Sequence, residues 1–239
     1  MNEYSESERG IATSAHVPVA EREEVDVAYC LHFMSRVREA VFATVDGRGM
    51  PNARVIDIMH AEDDALYFLT AHGKAFYKEL ERCPFVSVVV QTLDFRTCRM
   101  LGRARRSGDA DEQRRFVDWM FQLNPSMEKL YPGDSRYVLE VFTIRDGEGE
   151  YFDLGQDPIV RVPFLLGKGV ADVSYVAGYR IDESCTGCGV CENVCPRDCI
   201  IAADDGMRCI EQEACLHCGL CAEVCPEGAI FANSAAGVS

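Results

Sequence analysis

Apolar residues recur at steps of three and four through Val25, Ala28, Tyr29, Phe33, Met34 and Val37, which predicts an amphipathic helix over 25–38 with Cys30 as a packing thiol. The period then falls to two. Segments 40–45 and 51–59 flank Asp46-Gly-Arg-Gly49, the turn chemistry of a hairpin, and a third strand over 65–70 follows the acidic turn Glu62-Asp63-Asp64. A short helix over 75–82 precedes strands over 85–90 and 97–105. Asp109 caps a longer helix that carries the only tryptophan, Trp119, and Asn124-Pro125 breaks it. The last clear strand spans 137–144. Five or six mostly antiparallel strands interrupted by two or three helices predict an α+β unit built as a closed or partly closed barrel.

Beyond residue 152 the pattern loosens around Pro158, Pro163, Gly167 and Gly169, as expected of a connection. From 178 a different regularity takes over. An internal repeat with an offset of thirty residues pairs Cys185 with Cys215, Cys195 with Cys225 and Ile200 with Ile230. The expected organisation is a disordered N-terminus over 1–22, the barrel over 23–153, a connecting segment over 154–177, a second small domain over 178–232 and a tail over 233–239.

Each half of the repeat is a C-x2-C-x2-C-x3-C-P run: Cys185, Cys188, Cys191 and Cys195 with Pro196, then Cys215, Cys218, Cys221 and Cys225 with Pro226. This resembles the bacterial-type ferredoxin signature for [4Fe–4S] ligation. Three cysteines at steps of three wrap one cubane, and Gly189 and Gly219 ease the bend. In two-cluster ferredoxins the fourth cysteine of each run serves the other cluster. That assigns Cys185, Cys188, Cys191 and Cys225 to one cluster and Cys215, Cys218, Cys221 and Cys195 to the second. Structural zinc shows separated C-x2–4-C pairs instead, and a disulfide framework would call for a secretory signal. Cys199 falls opposite Ala229 and Cys209 opposite Tyr179, so both read as small packing residues, although a fifth thiol beside a cluster is chemically able to substitute for a ligand. Cys83 and Cys98 read as small buried hydrophobes.

The formal charge of −15 over 239 residues argues against sequence-independent nucleic-acid binding, which depends on Lys and Arg. An acidic surface confers solubility or steers a basic redox partner protein. The first twenty residues lack a basic region followed by an apolar core, and no apolar run reaches the length of a membrane span. The expectation is a soluble protein of a reducing, cytoplasmic compartment. His60 and His72 belong to no paired motif and read as surface or hydrogen-bonded side chains.

Phe42-Ala-Thr-Val-Asp-Gly-x-Gly-x-Pro51, Arg54-Val55, Leu66-Tyr-Phe-Leu-Thr70-x-x-Gly73-Lys74 and Pro84-x-Val-Ser-Val, in that order and spacing, resemble the pyridoxamine 5′-phosphate oxidase-like split-barrel flavoproteins. The likeness runs from about Val25 to Phe152 and includes the Tyr-Pro-Gly-Asp stretch at 131–134. It implies an FMN-binding homodimer with the flavin in a groove between two barrels. By position, Arg54 would meet the phosphate, Val55 and Ile56 would lie along the isoalloxazine, and Thr70 and Lys74 would add phosphate contacts, with Tyr77 and Arg99 as further candidates. The basic pair that the oxidase carries after its serine is Ala75-Phe76 here, a departure that speaks against pyridoxamine phosphate as substrate. The functional expectation is an oxidoreductase that passes electrons between FMN and two [4Fe–4S] clusters. The alternative is a non-enzymatic electron carrier or redox sensor whose barrel serves dimerisation.

Overall fold

The computed structural model describes residues 17–157, 159–169 and 178–233. They form two compact units. The first takes the described residues up to Gly155 and again from Val162; the second takes Gln156–Arg161 and the described residues from Gly178 onward.

The first unit is a split barrel. Its strands are β1 (Glu39–Val45), β2 (Pro51–Glu62), β3 (Ala65–Ala71), β4 (Phe85–Gln91), β5 (Thr97–Arg106), β6 (Leu139–Asp153) and β7 (Val160–Leu166). They run in the order β3-β2-β1-β4-β5-β6-β7, and a further β3–β6 pairing closes the first six into a barrel with β7 hung outside β6. Closure removes the free edges that an open sheet would expose. Phe42, Phe68 and Phe142 meet inside, with the rings of Phe68 and Phe142 stacked at 5.6 Å and Phe76 of the following helix against them. Helices α1 (Val27–Val37), α2 (Ala75–Arg82) and α3 (Ala110–Leu123) sit where the periodicity predicts them. Asp26 accepts the Tyr29 amide at the start of α1, and Asp109 and Glu112 form a reciprocal capping box on α3.

Three sequence expectations are corrected here. The strand predicted over 137–144 begins at Leu139 and runs on to Asp153, because Gly147 and Gly149 carry no side chain to show the alternation. The segment expected to be a plain connection contains β7, while its residues 158 and 170–177 lie outside the described ones. The frayed terminus expected over 1–22 does not reach 17–22. Val17 and Ala20 are buried, and the guanidinium of Arg96, itself only 2% exposed, donates to the carbonyls of Val17 and Pro18, each at 2.8 Å. Residues 1–16 and 234–239 lie outside the described ones. No described helix is long and apolar enough to cross a membrane.

Gly149 marks the tightest approach in the barrel. A Cβ there would stand 2.1 Å from the Arg99 carbonyl oxygen and 2.7 Å from the Phe164 ring. Gly149→Ala is therefore expected to destabilise the barrel by about 1–3 kcal/mol, as overpacking does. A urea midpoint unchanged from wild type would show that the strands part without cost.

The second unit is a ferredoxin-like pseudo-repeat. It comprises β8 (Tyr179–Ile181), α4 (Val190–Val194), β9 (Ile200–Ala202), β10 (Arg208–Ile210), α5 (Leu220–Val224) and β11 (Ile230–Ala232). β8 pairs with β11 and β9 with β10, both antiparallel. Gly189 and Gly219 precede the two helices at φ 75° and 80°, the left-handed step that lets each loop turn back after its second cysteine.

Candidate functional site

The spacing of each cysteine run bends the chain around an open volume. Cys185, Cys188 and Cys191 line one, together with Cys225 from the other run. Cys215, Cys218 and Cys221 line another, together with Cys195. The fourth thiol of each set is thus exchanged between the halves. Among the described residues no three His, Cys, Asp or Glu side chains close on a single point as they would around one ion. The four thiols of each set line one pocket, an arrangement that suits a polynuclear cluster.

The surroundings match that use. Burial raises the Cys191 and Cys221 thiols above their ordinary range, so ionising them in place requires a positive group to offset the lost hydration. The His217 amide donates to Cys215 Sγ at 3.3 Å. Arg208, ion-paired with Glu192, adds to the lining of the first volume. Cys199 is buried and lines the second, 3.4 Å from Cys195 sulfur to sulfur. Cys209, expected to be a packing residue, is exposed, because β10 turns it away from Ile210 and the buried side.

In the barrel, the residues singled out by sequence fall into two groups. Arg54, Tyr77 and Arg99 are held by carboxylates of the protein itself. Arg54 Nη2 donates to Glu79 at 2.7 Å, its Nη1 donates to Thr44, and its guanidinium lies over the Phe76 ring. Glu79 also accepts from Thr44 and from Asn52. Burial works to raise the Glu79 carboxyl, but the bonds from Thr44, Asn52 and Arg54 outweigh it and hold it below the usual carboxylate range. Tyr77 donates to Glu140 at 2.9 Å, and burial followed by that carboxylate pushes its hydroxyl up to about 12. Arg99 pairs with Glu150 at 2.5 Å.

The second group is unengaged. Thr70 is 1% exposed, yet its hydroxyl has no hydrogen-bond partner among the described residues. Lys74 is exposed at the N-cap of α2, where no side chain caps the helix. Val55 is 63% exposed on β2, and Ile56 is half-buried. A groove of about 400 Å³ is lined by Asp46, Gly47, Asn52, Ala75, Lys78, Glu79 and Arg82, and by none of these four. His60 packs its ring against Tyr67 and Trp119, and His72 is exposed.

An orphaned hydroxyl, an exposed ammonium, a helix N-terminus without a side-chain cap and an exposed apolar strand are groups of the kind that meet a flat anionic ligand. Arg54 fits less directly, since two of its nitrogens are already committed. The carboxylates that engage it and its neighbours escaped the sequence reading. One signal was present: Glu79 shares the buried face of α2 with Phe76, Tyr77 and Leu80, and a buried acid demands a cationic partner.

This fold and these cavities define a split β-barrel joined to a dicluster, ferredoxin-like unit. Residues 30–149, half of the chain, match the family described as pyridoxamine 5′-phosphate oxidase, and the chain belongs to that family. Residues 184–229 match the 4Fe-4S dicluster domain. Among solved structures, a NimC/NimA family protein from Clostridium acetobutylicum is 18% identical over 59% of this chain and 92% of its own, with a TM-score of 0.49. A pyridoxamine 5′-phosphate oxidase-related, FMN binding protein from Nostoc punctiforme is 18% identical over 60% of this chain and 91% of its own, with a TM-score of 0.45. A heme binding protein from Mycobacterium smegmatis is 13% identical over 60% of this chain and 59% of its own, with a TM-score of 0.46. No curated protein matches the chain.

Proposed function

We propose that the protein is an oxidoreductase that passes electrons between FMN in the barrel and two [4Fe–4S] clusters in the second unit. The observation that carries this reading is the pair of four-thiol volumes with exchanged fourth cysteines. When bound, the two kinds of cofactor would supply interconversion of two-electron and one-electron chemistry. The chain's own residues bind and orient. Cys185, Cys188, Cys191 and Cys225 hold one cluster, and Cys215, Cys218, Cys221 and Cys195 the other. Thr70, Lys74 and the first-turn amides of α2 take the flavin phosphate, while Val55 and Ile56 lie along the ring. Exposed Val41, Val55 and Phe85 on β1, β2 and β4 support a homodimer that covers them. The acidic excess supports a basic redox partner protein in a reducing, cytoplasmic setting.

The commitment of Arg54 to Glu79 favours a second reading, an electron carrier or redox sensor whose barrel dimerises without a flavin. One experiment separates the two. Protein purified anaerobically is assayed for iron, for released flavin by absorbance and fluorescence, and for turnover with reduced nicotinamide and candidate acceptors. Bound FMN with turnover supports the oxidoreductase; intact clusters without any flavin support the carrier. A deazaflavin in place of FMN would show itself in the same spectra. Lys74→Ala is expected to weaken flavin retention roughly tenfold without changing iron content, the loss of one charge-assisted contact. Unchanged retention would remove Lys74 from the site.

A further inference from the structure

Neither cysteine run claims Cys199, yet it stands where a ligand could stand. It is 2% exposed, it lines the volume shared by Cys195, Cys215, Cys218 and Cys221, and its sulfur touches that of Cys195 at 3.4 Å. The turn that delivers it recurs in the other half. Cys195-Pro-Arg-Asp198-Cys199 has Asp198 at φ 50°, and Cys225-Pro-Glu-Gly228-Ala229 has Gly228 at φ 64°. The same left-handed step thus precedes a thiol that lines the second site and, at the matching position of the other half of the repeat, the methyl group of Ala229. Ala229 there is fully buried.

We propose that Cys199 is a reserve ligand of the second cluster site, able to take the iron of Cys195 when that sulfur is unavailable. The first site has no such reserve. The inference rests on the cluster reading above. The exchange is a ligand substitution: the Cys195–iron bond breaks and that thiolate takes up a proton, Cys199 gives up its thiol proton as its sulfur bonds the same iron, the iron keeps four sulfur ligands from the chain and cluster together, and no electron moves. In Cys195→Ser only the second half of this step is needed. Local geometry asks little of the backbone. The Cys199 carbonyl is tied to the Glu211 amide at 2.8 Å, so β9 stays fixed while the side chain rotates toward the space left by the absent sulfur.

The test uses full-length protein reconstituted anaerobically with iron and sulfide, with iron per chain and the electron paramagnetic resonance of the reduced protein as readouts. Wild type is expected to hold about eight irons per chain. Cys195→Ser should keep nearly all of them with an altered resonance, whereas Cys225→Ser should lose about half. Cys195→Ser/Cys199→Ser should also fall to about half. Adding Ala229→Cys to Cys225→Ser should restore the lost iron by creating at the first site what the second already has. Half-loaded Cys195→Ser beside fully loaded wild type would overturn the reserve ligand alone. Full loading of the Cys195→Ser/Cys199→Ser protein would overturn it as well, since some other group would then be filling the place. Iron-free wild type would overturn the cluster reading itself, and the proposal with it.

Discussion

Removing iron anaerobically with a chelator is expected to unfold residues 178–233 and leave the barrel folded. The reason lies in what the second unit buries. Among the described residues its buried cluster consists of Cys191, Cys199, Cys215 and Cys221 with Ile200, Ile210 and Ile230, and Tyr179, Ile181, Ala214 and Ala222 pack partly buried against it. Its four strands are three residues long each. So small a unit cannot bury enough apolar surface to offset the entropy of ordering its chain, and units of this size are held by metal or disulfides. The free energy of cluster binding is then folding free energy. The barrel has its own closed sheet and a phenylalanine core that owes nothing to metal. Limited proteolysis after chelation should therefore cut within 178–233 and leave a resistant fragment containing β1 to β6. Equal protection of both units in the chelated protein would show that the second one folds without its clusters.

The same contrast explains what could be read from the chain alone. Spacing is a local constraint, so the three thiols of each run that share a pocket were legible residue by residue, while the crossing of Cys195 and Cys225 came from the ferredoxin resemblance. The strands with one buried face were legible through alternation, as in β1, where Ala40, Phe42 and Thr44 point inward. The second half of β6 was not, since its glycines interrupt the pattern and it buries an acid, Glu150, that pairs across to Arg99 of β5. Neither was the clamp of Arg96 on Val17 and Pro18, a pairing across nearly eighty residues that no periodicity announces. In the flavin region the basic side chains were legible as types. The occupancy of Arg54 by Glu79 and of Arg99 by Glu150 was not, because those partners arrive from α2 and β6 through tertiary folding.

Glu79 is expected to be the residue on which both the stability and the ligand preference of the barrel turn. Glu79→Ala strands Arg54, whose side chain is only 22% exposed, without its counter-ion, and leaves Thr44 and Asn52 without their acceptor. Breaking a pair of this kind costs about 3 kcal/mol, whereas Glu79→Gln keeps an acceptor and should cost nearer 1 kcal/mol. The pH dependence follows from the sign of the shift. The folded carboxyl is held below its ordinary value of about 4.3, so its contribution is complete above that value and is lost as pH falls through the lowered folded one. The stability gap between wild type and Glu79→Gln should thus be constant near neutrality and shrink under acid. For the ligand, the substitution works in the opposite direction. With a neutral amide at position 79 the charge of Arg54 is no longer cancelled inside the protein, and a phosphate-bearing flavin should bind Glu79→Gln more tightly than wild type. Riboflavin, which lacks the phosphate, should bind the two alike. Weaker FMN binding by Glu79→Gln would instead mean that the ion pair holds Arg54 in the pose the phosphate needs, and would return Arg54 to the contact set that its position on β2 first indicated.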